Sequence, residues 1–480
     1  MKRALSLVLA VLLAVFPAAC GQTPADESPA ESHTPETAPA RTAAPAEPVS
    51  FYTMGSTFNA GTCFYELLPQ QLGYYLVAKT DYATATRCIL CSVPGCTHDS
   101  ESCPAWFPGS GLEGSLFTVG EDVYLYHHAP ANLYTGSWEA YRAEHQAPVQ
   151  DGQKVGLTEE DLTTYSRNCY AEASTPACLY RIAADGSGRE RIDFSRQLPN
   201  LALSWCDGTA LYGSITERSG NTTGYRVSLK NGDVTTFAMM PYEWIIGAQG
   251  DRLLVSRTVT NVPLPDPDTE GWDVYTAILQ NSTVEFSWLN PNDGTRETVL
   301  ERPHDGSVDG AADFRGVVGG KLYFMRSGQD PESDGLLAFD SDTGQWLAVC
   351  DPLPHAALNL RSVPVACAPD SAERQSRYLR LEGSDVWQGI NLCWILDETS
   401  GAAFQIKQPL EGNPYQSVVE VRALTDDGRF LLHTAQTDSG VEPLSAYGLV
   451  DLRVAYESAL IDAEAFLQGS TDYTPVTNAE

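Results

Sequence analysis

The chain has 480 residues, a formal net charge of -32 and an apolar share of 43%. That length exceeds what one simple core uses, so it requires several domains or a modular repeat. An acidic balance spread along the whole chain excludes nucleic acid and anionic lipid surfaces as electrostatic partners; it leaves cationic peptides and divalent ions open, and favours solubility outside the cell.

The chain opens on an export signal. Lys2 and Arg3 precede an apolar stretch over residues 4–16, and Ala18 and Ala19 stand directly before Cys20. Residues 1–19 therefore read as a signal peptide, too short and wrongly flanked for a spanning helix. A cysteine at this point resembles the lipobox of bacterial lipoproteins, with Pro17 where leucine is usual. The resemblance implies cleavage before Cys20, diacylation of its sulfur and a place on the outer face of the bacterial cell membrane; a plain secreted protein is the competing reading. Residues 20–50 follow as a tether rich in Ala, Pro and Thr, whose one large aliphatic side chain is Val49. Such a segment cannot bury enough surface to fold and is expected to be disordered.

Residues 51–470 have a globular composition, with a cysteine-rich loop at 91–106. The strand leading into that loop is expected over 85–91. On it Cys88 shares a face with Leu90 and reads as a core thiol, while Cys91 sits at the strand end. Cys91, Cys96, His98 and Cys103 remain as a set of three thiols and one imidazole, with Pro94 and Gly95 to turn the chain back. Such a set suits one tetrahedral, structural zinc ion. Two other readings stay open: a disulfide inside the loop, and free thiols. Haem attachment through Cys88 and Cys91 is disfavoured because Ser92, not histidine, follows. The remaining cysteines read as small buried apolar residues, with Cys169 and Cys178 placed to bridge the end of an insertion at about 128–176. Within that insertion a helix is expected over 157–173, capped by Thr158 with Asp161 three residues on.

Two kinds of segment then alternate. One is a turn leading into an apolar strand, as in "GYYLVAK" at Gly73, "GEDVYLYHH" at Gly120 and "DGRFLLHTA" at Asp427. The other is a strand, a tight turn and a strand, centred on Gly186, Gly232, Gly294, Gly344 and Gly401. These glycines recur 46 to 62 residues apart, which suits four-stranded propeller blades with insertions. The expected fold is an all-β propeller of six or seven, possibly eight, four-stranded blades. Closure is expected to pair N-terminal strands with C-terminal ones such as "SAYGLVDLRV" at Ser445, leaving residues 471–480 as a tail.

The order of lipobox, Pro-rich tether and "RCILCSVPGCTHDSESCPAW" resembles TolB-like β-propeller lipoproteins of anaerobic Firmicutes. The resemblance implies a propeller on a lipid anchor and no particular activity. The chain lacks Gly-x-Ser-x-Gly, His-Glu-x-x-His and a phosphate-binding glycine loop. "DSDTG" at 340–344 reads as a hairpin turn rather than a calcium loop, and His127 and His128 as surface histidines beside the insertion. The expected function is a monomeric, membrane-anchored binding or scaffolding module for a protein, peptide or glycan, without nucleic acid and with no catalytic residues. The alternative is an extracellular hydrolase or lyase with carboxylates in the central funnel.

Overall fold

The computed structural model describes residues 50–479 apart from 110–113, 131, 146–156, 199–202, 218, 306–310, 327–334, 351–360, 366–376, 386–389, 414–416 and 444–449. The expected signal peptide, Cys20 and almost all of the tether lie outside the described residues.

Seven antiparallel sheets follow one another along the chain, each built on four consecutive strands. Blade 1 comprises Thr57–Asn59, Cys63–Gln70, Tyr74–Asp81 and Thr86–Ile89. Blade 2 comprises Gly114–Val119, Asp122–His127, Cys178–Ile182 and Arg189–Asp193. Blades 3 to 6 begin at Leu203, Glu243, Phe314 and Arg361, and blade 7 runs from Glu420 to the short strand Thr474–Pro475. The first strands of blades 1 and 2, of 4 and 5, and of 5 and 6 abut, as at the axis of a seven-bladed propeller.

The two alternating sequence patterns map onto the blade. The strand–turn–strand units are the outer hairpins, and all five of their glycines adopt φ between 68° and 74°. The turn-then-strand units enter the second strands of blades 2 to 5 and 7. In blade 1 the pattern is shifted: "GYYLVAK" at Gly73 opens the third strand, Tyr74–Asp81. That blade's outer turn has no glycine, and Ala85 takes the left-handed conformation at φ 52° instead.

No blade buries both faces alone, and the seams between blades form the core. Phe286, Phe324 and Leu254 pack between blades 4 and 5, Leu336, Leu381 and Trp394 between 5 and 6, and Tyr378, Ile395 and Phe430 between 6 and 7. The ring closes through Phe64, Tyr82 and Ala85 of blade 1 against Ala423, Leu431 and Leu460 of blade 7.

Both ends of the described chain act on the ring. Phe51 N donates to Gly250 O of blade 4 (2.7 Å), Tyr52–Thr53 pairs with the first strand of blade 3, and Leu116 N of blade 2 donates to Gly55 O (2.6 Å). Residues 51–55 thus cross the inner edges of three blades before blade 1 begins. At the other end, the expected tail is structured. Thr474–Pro475 completes blade 7, and Thr477–Asn478 then pairs in parallel with Thr86 and Arg87 at the outer edge of blade 1. Closure therefore uses residues 474–479 and not "SAYGLVDLRV", whose described part belongs to Val450–Asp462 and pairs within blade 7.

The blade 2 insertion contains the expected helix, Glu159–Ser174, with Thr158 and Asp161 forming a reciprocal capping box. A shorter helix, Trp138–Glu144, packs beside it through Tyr134, Tyr141 and Tyr170. Asn168 Nδ2 donates to Leu72 O (2.7 Å), docking the insertion on blade 1. A second helical insertion, holding Trp272–Leu279, lies between the middle strands of blade 4. Antiparallel topology places both insertions on one face of the ring. Among the described residues no helix is long and apolar enough to cross a membrane.

Candidate metal centre

The outer strand of blade 1 is interrupted, and the cysteine-rich loop fills the break. Thr86–Ile89 pairs with Ala78 to Asp81, and Trp106–Pro108 resumes the same edge against Tyr74 to Leu76. Val77 sits between the halves and binds both stems: Leu90 N donates to Val77 O, and Val77 N donates to Ala105 O, each at 2.9 Å. Residues 90–105 are therefore an excursion from an edge strand, with both stems at one residue.

The excursion folds back on itself. Cys96 N donates to Val93 O (3.2 Å) around Pro94 and Gly95, and the positive φ of Gly95, 71°, fits a type II turn. His98 takes a left-handed φ of 58°. Cys103 N donates to Ser100 O (3.0 Å) and Trp106 N to Cys103 O (3.1 Å), turning the chain back into the edge. The result brings together the four residues that sequence spacing singles out. The ligand atoms of Cys91, Cys96, His98 and Cys103 all lie within 4.8 Å of one another, and His98 Nδ1 is 3.3 Å from Cys103 Sγ. A tetrahedron with bonds of about 2.0–2.3 Å has edges of roughly 3.3–3.8 Å, so the set fits one small cation with little contraction.

Cys103 is fully buried, and burial pushes its thiol up to about 12. A hydrogen bond from the His98 backbone N–H holds the Cys96 thiol below its usual value. Strand parity fails for Cys88. The strand ends at Ile89, the backbone bends, and Leu90 turns into the core while Cys88 stays exposed. Cys169 is half-buried on the long helix, and Cys178 is a buried, unbridged thiol that burial pushes up to about 11; the structure does not join them. Cys63, Cys206 and Cys393 are buried as expected, and Cys367 lies outside the described residues.

Blade 2 supports the excursion. Ser92 N donates to Gly186 O (3.0 Å) in the outer hairpin of that blade. Arg189, at the start of blade 2's outer strand, donates to the carbonyls of Trp106 and Glu101, the latter at 3.0 Å. Its guanidinium also lies 4.7 Å over the Phe107 ring and 5.5 Å over the Tyr180 ring. The sequence carries no signal for this cross-blade shell.

Two further places hold polar groups. A cavity of about 570 Å³ is lined by Tyr52, Tyr65, Lys79, Thr118 and Glu121 among others. In blade 7, Glu420 receives Arg422 (2.8 Å) and lies 3.3 Å from His433 Nδ1 and 3.7 Å from Arg380. Burial alone would raise the Glu420 carboxyl, but His433, Arg422 and Arg380 together pull it down to about 2. His127 and His128, expected at the surface, are largely enclosed. His127 is 3% exposed, burial lowers both, and His128 Nε2 lies 2.9 Å from Ser115 Oγ.

No family model and no curated protein matches the chain. Solved structures resemble it in fold. The β-propeller domain of the trilobed protease from Pyrococcus furiosus aligns with 89% of this chain and 96% of its own, at 10% identity and a TM-score of 0.43. An acylaminoacyl peptidase aligns with 89% of this chain at 9% identity and a TM-score of 0.44; the match spans 52% of that longer protein, about half its length. An oligogalacturonate lyase in complex with manganese aligns with 63% of this chain and 71% of its own, at 11% identity and a TM-score of 0.35.

Proposed function

We propose that the chain is a lipid-anchored propeller on the outer face of a bacterial membrane, binding a protein, peptide or glycan rather than transforming it. One observation carries the choice of binding over catalysis. The carboxyl groups of Asp81, Asp293, Asp340, Glu420 and Asp427 are each held downward, which keeps them ionised. A glycoside hydrolase that works with a pair of carboxyl groups requires one of them as a general acid held upward. The cavity lined by two tyrosines, a lysine and a glutamate suits recognition of a mixed polar and apolar ligand. Anchoring rests on the signal-like residues 1–19, Cys20 and the tether.

The test is Cys20→Ala in the full chain. Wild type should partition with membranes and incorporate labelled palmitate, and the variant should appear in the soluble fraction. Unchanged membrane partition would remove the anchoring half of the reading. The released variant also serves as the probe for binding: on peptide and glycan arrays it should retain ligands without altering them. Product formation on those arrays would support the lyase or hydrolase instead.

A further inference from the structure

We propose that Cys91, Cys96, His98 and Cys103 bind one zinc ion, which pins the interrupted edge of blade 1 and holds the seam between blades 1 and 2. The inference is independent of anchoring and of any ligand in the cavity.

The donor set selects the ion. Three thiolates with one imidazole suit a borderline-soft cation with tetrahedral preference, and magnesium and calcium prefer oxygen donors. A disulfide would consume two of the three thiols. It would leave the third beside the imidazole with no shared partner, although all four ligand atoms converge within 4.8 Å. Zinc uses all four. Binding releases the three thiol protons to solvent and changes no oxidation state. Three thiolates on a divalent ion leave one net negative charge at the site. The Arg189 guanidinium lies against the same loop, held by the carbonyls of Glu101 and Trp106.

Geometry also fixes the role. With four protein ligands no position is open for a substrate, so the ion is structural. Cys91 and Cys103 flank the stems that meet at Val77, so a shared ion closes the excursion at its base, while Cys96 and His98 bring in its tip. The Ser92–Gly186 and Arg189–Glu101 contacts then extend the fixed loop onto blade 2. An interrupted edge strand otherwise offers unpaired backbone groups to solvent or to another chain.

The experiment is metal analysis of the full-length protein purified in detergent under reducing conditions. About one zinc per chain is expected, falling at least tenfold in Cys96→Ser and in His98→Ala. Cys88→Ser, an exposed thiol outside the cluster, should keep its zinc. Cobalt exchanged into the site should show thiolate-to-metal charge transfer and the intense visible bands of tetrahedral coordination. Because ligand variants can misfold, hydrogen exchange of wild type with and without a chelator supplies a second measurement. Residues 90–105 and the turn around Gly186 should lose protection together while blades 4 to 6 are unchanged. No zinc retained after anaerobic reconstitution would overturn the proposal, as would an intact disulfide between loop cysteines, iron as the resident metal, or exchange indifferent to the chelator.

Discussion

Gly186 is the residue at which blade 2 presses on the cysteine-rich excursion. Its φ is 70°, and an added Cβ would lie 2.7 Å from Cys91 N and 2.8 Å from Cys91 Cα. Gly401 occupies the same turn position in blade 6 with φ 68°, but an added Cβ there meets nothing within 4 Å. The pair separates two effects. Gly401→Ala should cost only the left-handed conformation, about 1–2 kcal/mol. Gly186→Ala should cost at least about 1 kcal/mol more, because backbone atoms must move. Urea unfolding of the two variants measures the difference, and equal losses would mean that the hairpin and the excursion are not packed as described.

His127 gives a pH dependence of definite sign. It ends the second strand of blade 2, with His128 next to it, Arg191 nearby and the Thr175 backbone as a partner; burial, then the charge of His128, lowers it to about 4. An unfolded-state histidine titrates near about 6.5. Between these values the unfolded chain takes up a proton that the folded one refuses, so stability is full above about pH 7 and falls as pH drops toward 4. Linkage puts the loss between pH 7 and pH 5 at about 2 kcal/mol. His127→Gln should remove that part of the slope, leaving the smaller contributions of His128 and His433, which burial also lowers. Urea midpoints at the two pH values test this, and an unchanged slope in the variant would sink it. At this scale the cluster was legible because four side chains of metal-ligating type stand within thirteen residues, 91 to 103. The environment of Cys88, His127 and His128 was not. A backbone bend at Leu90 and the docking of an insertion decide those positions, and neither leaves a local mark in the sequence.

Elements divide along the same line. The outer hairpins could be read because a tight turn there demands positive φ, and glycine meets that demand at Gly232, Gly294 and Gly344 as at Gly186. The helix Glu159–Ser174 could be read because Thr158 and Asp161 satisfy each other's backbone N–H groups. Trp272–Leu279 is illegible for the converse reason. Its N-cap is Gly271 at φ 92°, with no side-chain cap, and its sequence mixes aromatic and β-branched residues. The split outer strand of blade 1 is harder still. Pairing of Trp106–Pro108 with Tyr74 to Leu76 spans about thirty residues, and the "WFP" segment carries neither alternation nor a turn signal. The cluster at 91–103 makes sense of that split: a break in an edge strand needs something to close it, and the four donors sit at its base and tip.

Ring closure belongs to the whole molecule. Seven seams hold seven blades, and the seam between blades 7 and 1 joins the most distant parts of the sequence. It has a small apolar cluster, Phe64, Tyr82, Ala85, Ala423, Leu431 and Leu460, with Val476 packed against it. It also has one side-chain and one backbone tie: Asn59 Nδ2 donates to Leu424 O at 2.7 Å, and Asp426 N to Gly61 O at 3.0 Å. The C-terminal residues add two more, from Thr477 N to Ala85 O and Ala479 N to Arg87 O, and a third bond, from Val476 N to Ser458 O, holds the segment on blade 7, all at 2.7 to 3.0 Å. Deleting residues 476–480 removes those three bonds and the Val476 contact, a loss of about 2–4 kcal/mol at typical net values. The apolar seam and the Asn59 and Asp426 ties remain, and residues 51–55 still tie blades 2, 3 and 4 from the inside. The ring should therefore fray at one edge and not open. Hydrogen exchange should quicken at Thr86–Ile89, whose parallel partner is gone, while the strands of blades 3 to 5 keep their protection and the unfolding temperature falls by a few degrees. Collapse of the whole fold on truncation would mean that the last five residues carry closure alone. Unchanged exchange at Thr86–Ile89 would mean that the parallel pairing is not formed in solution, and the closing work would then rest on the Phe64–Leu431 seam.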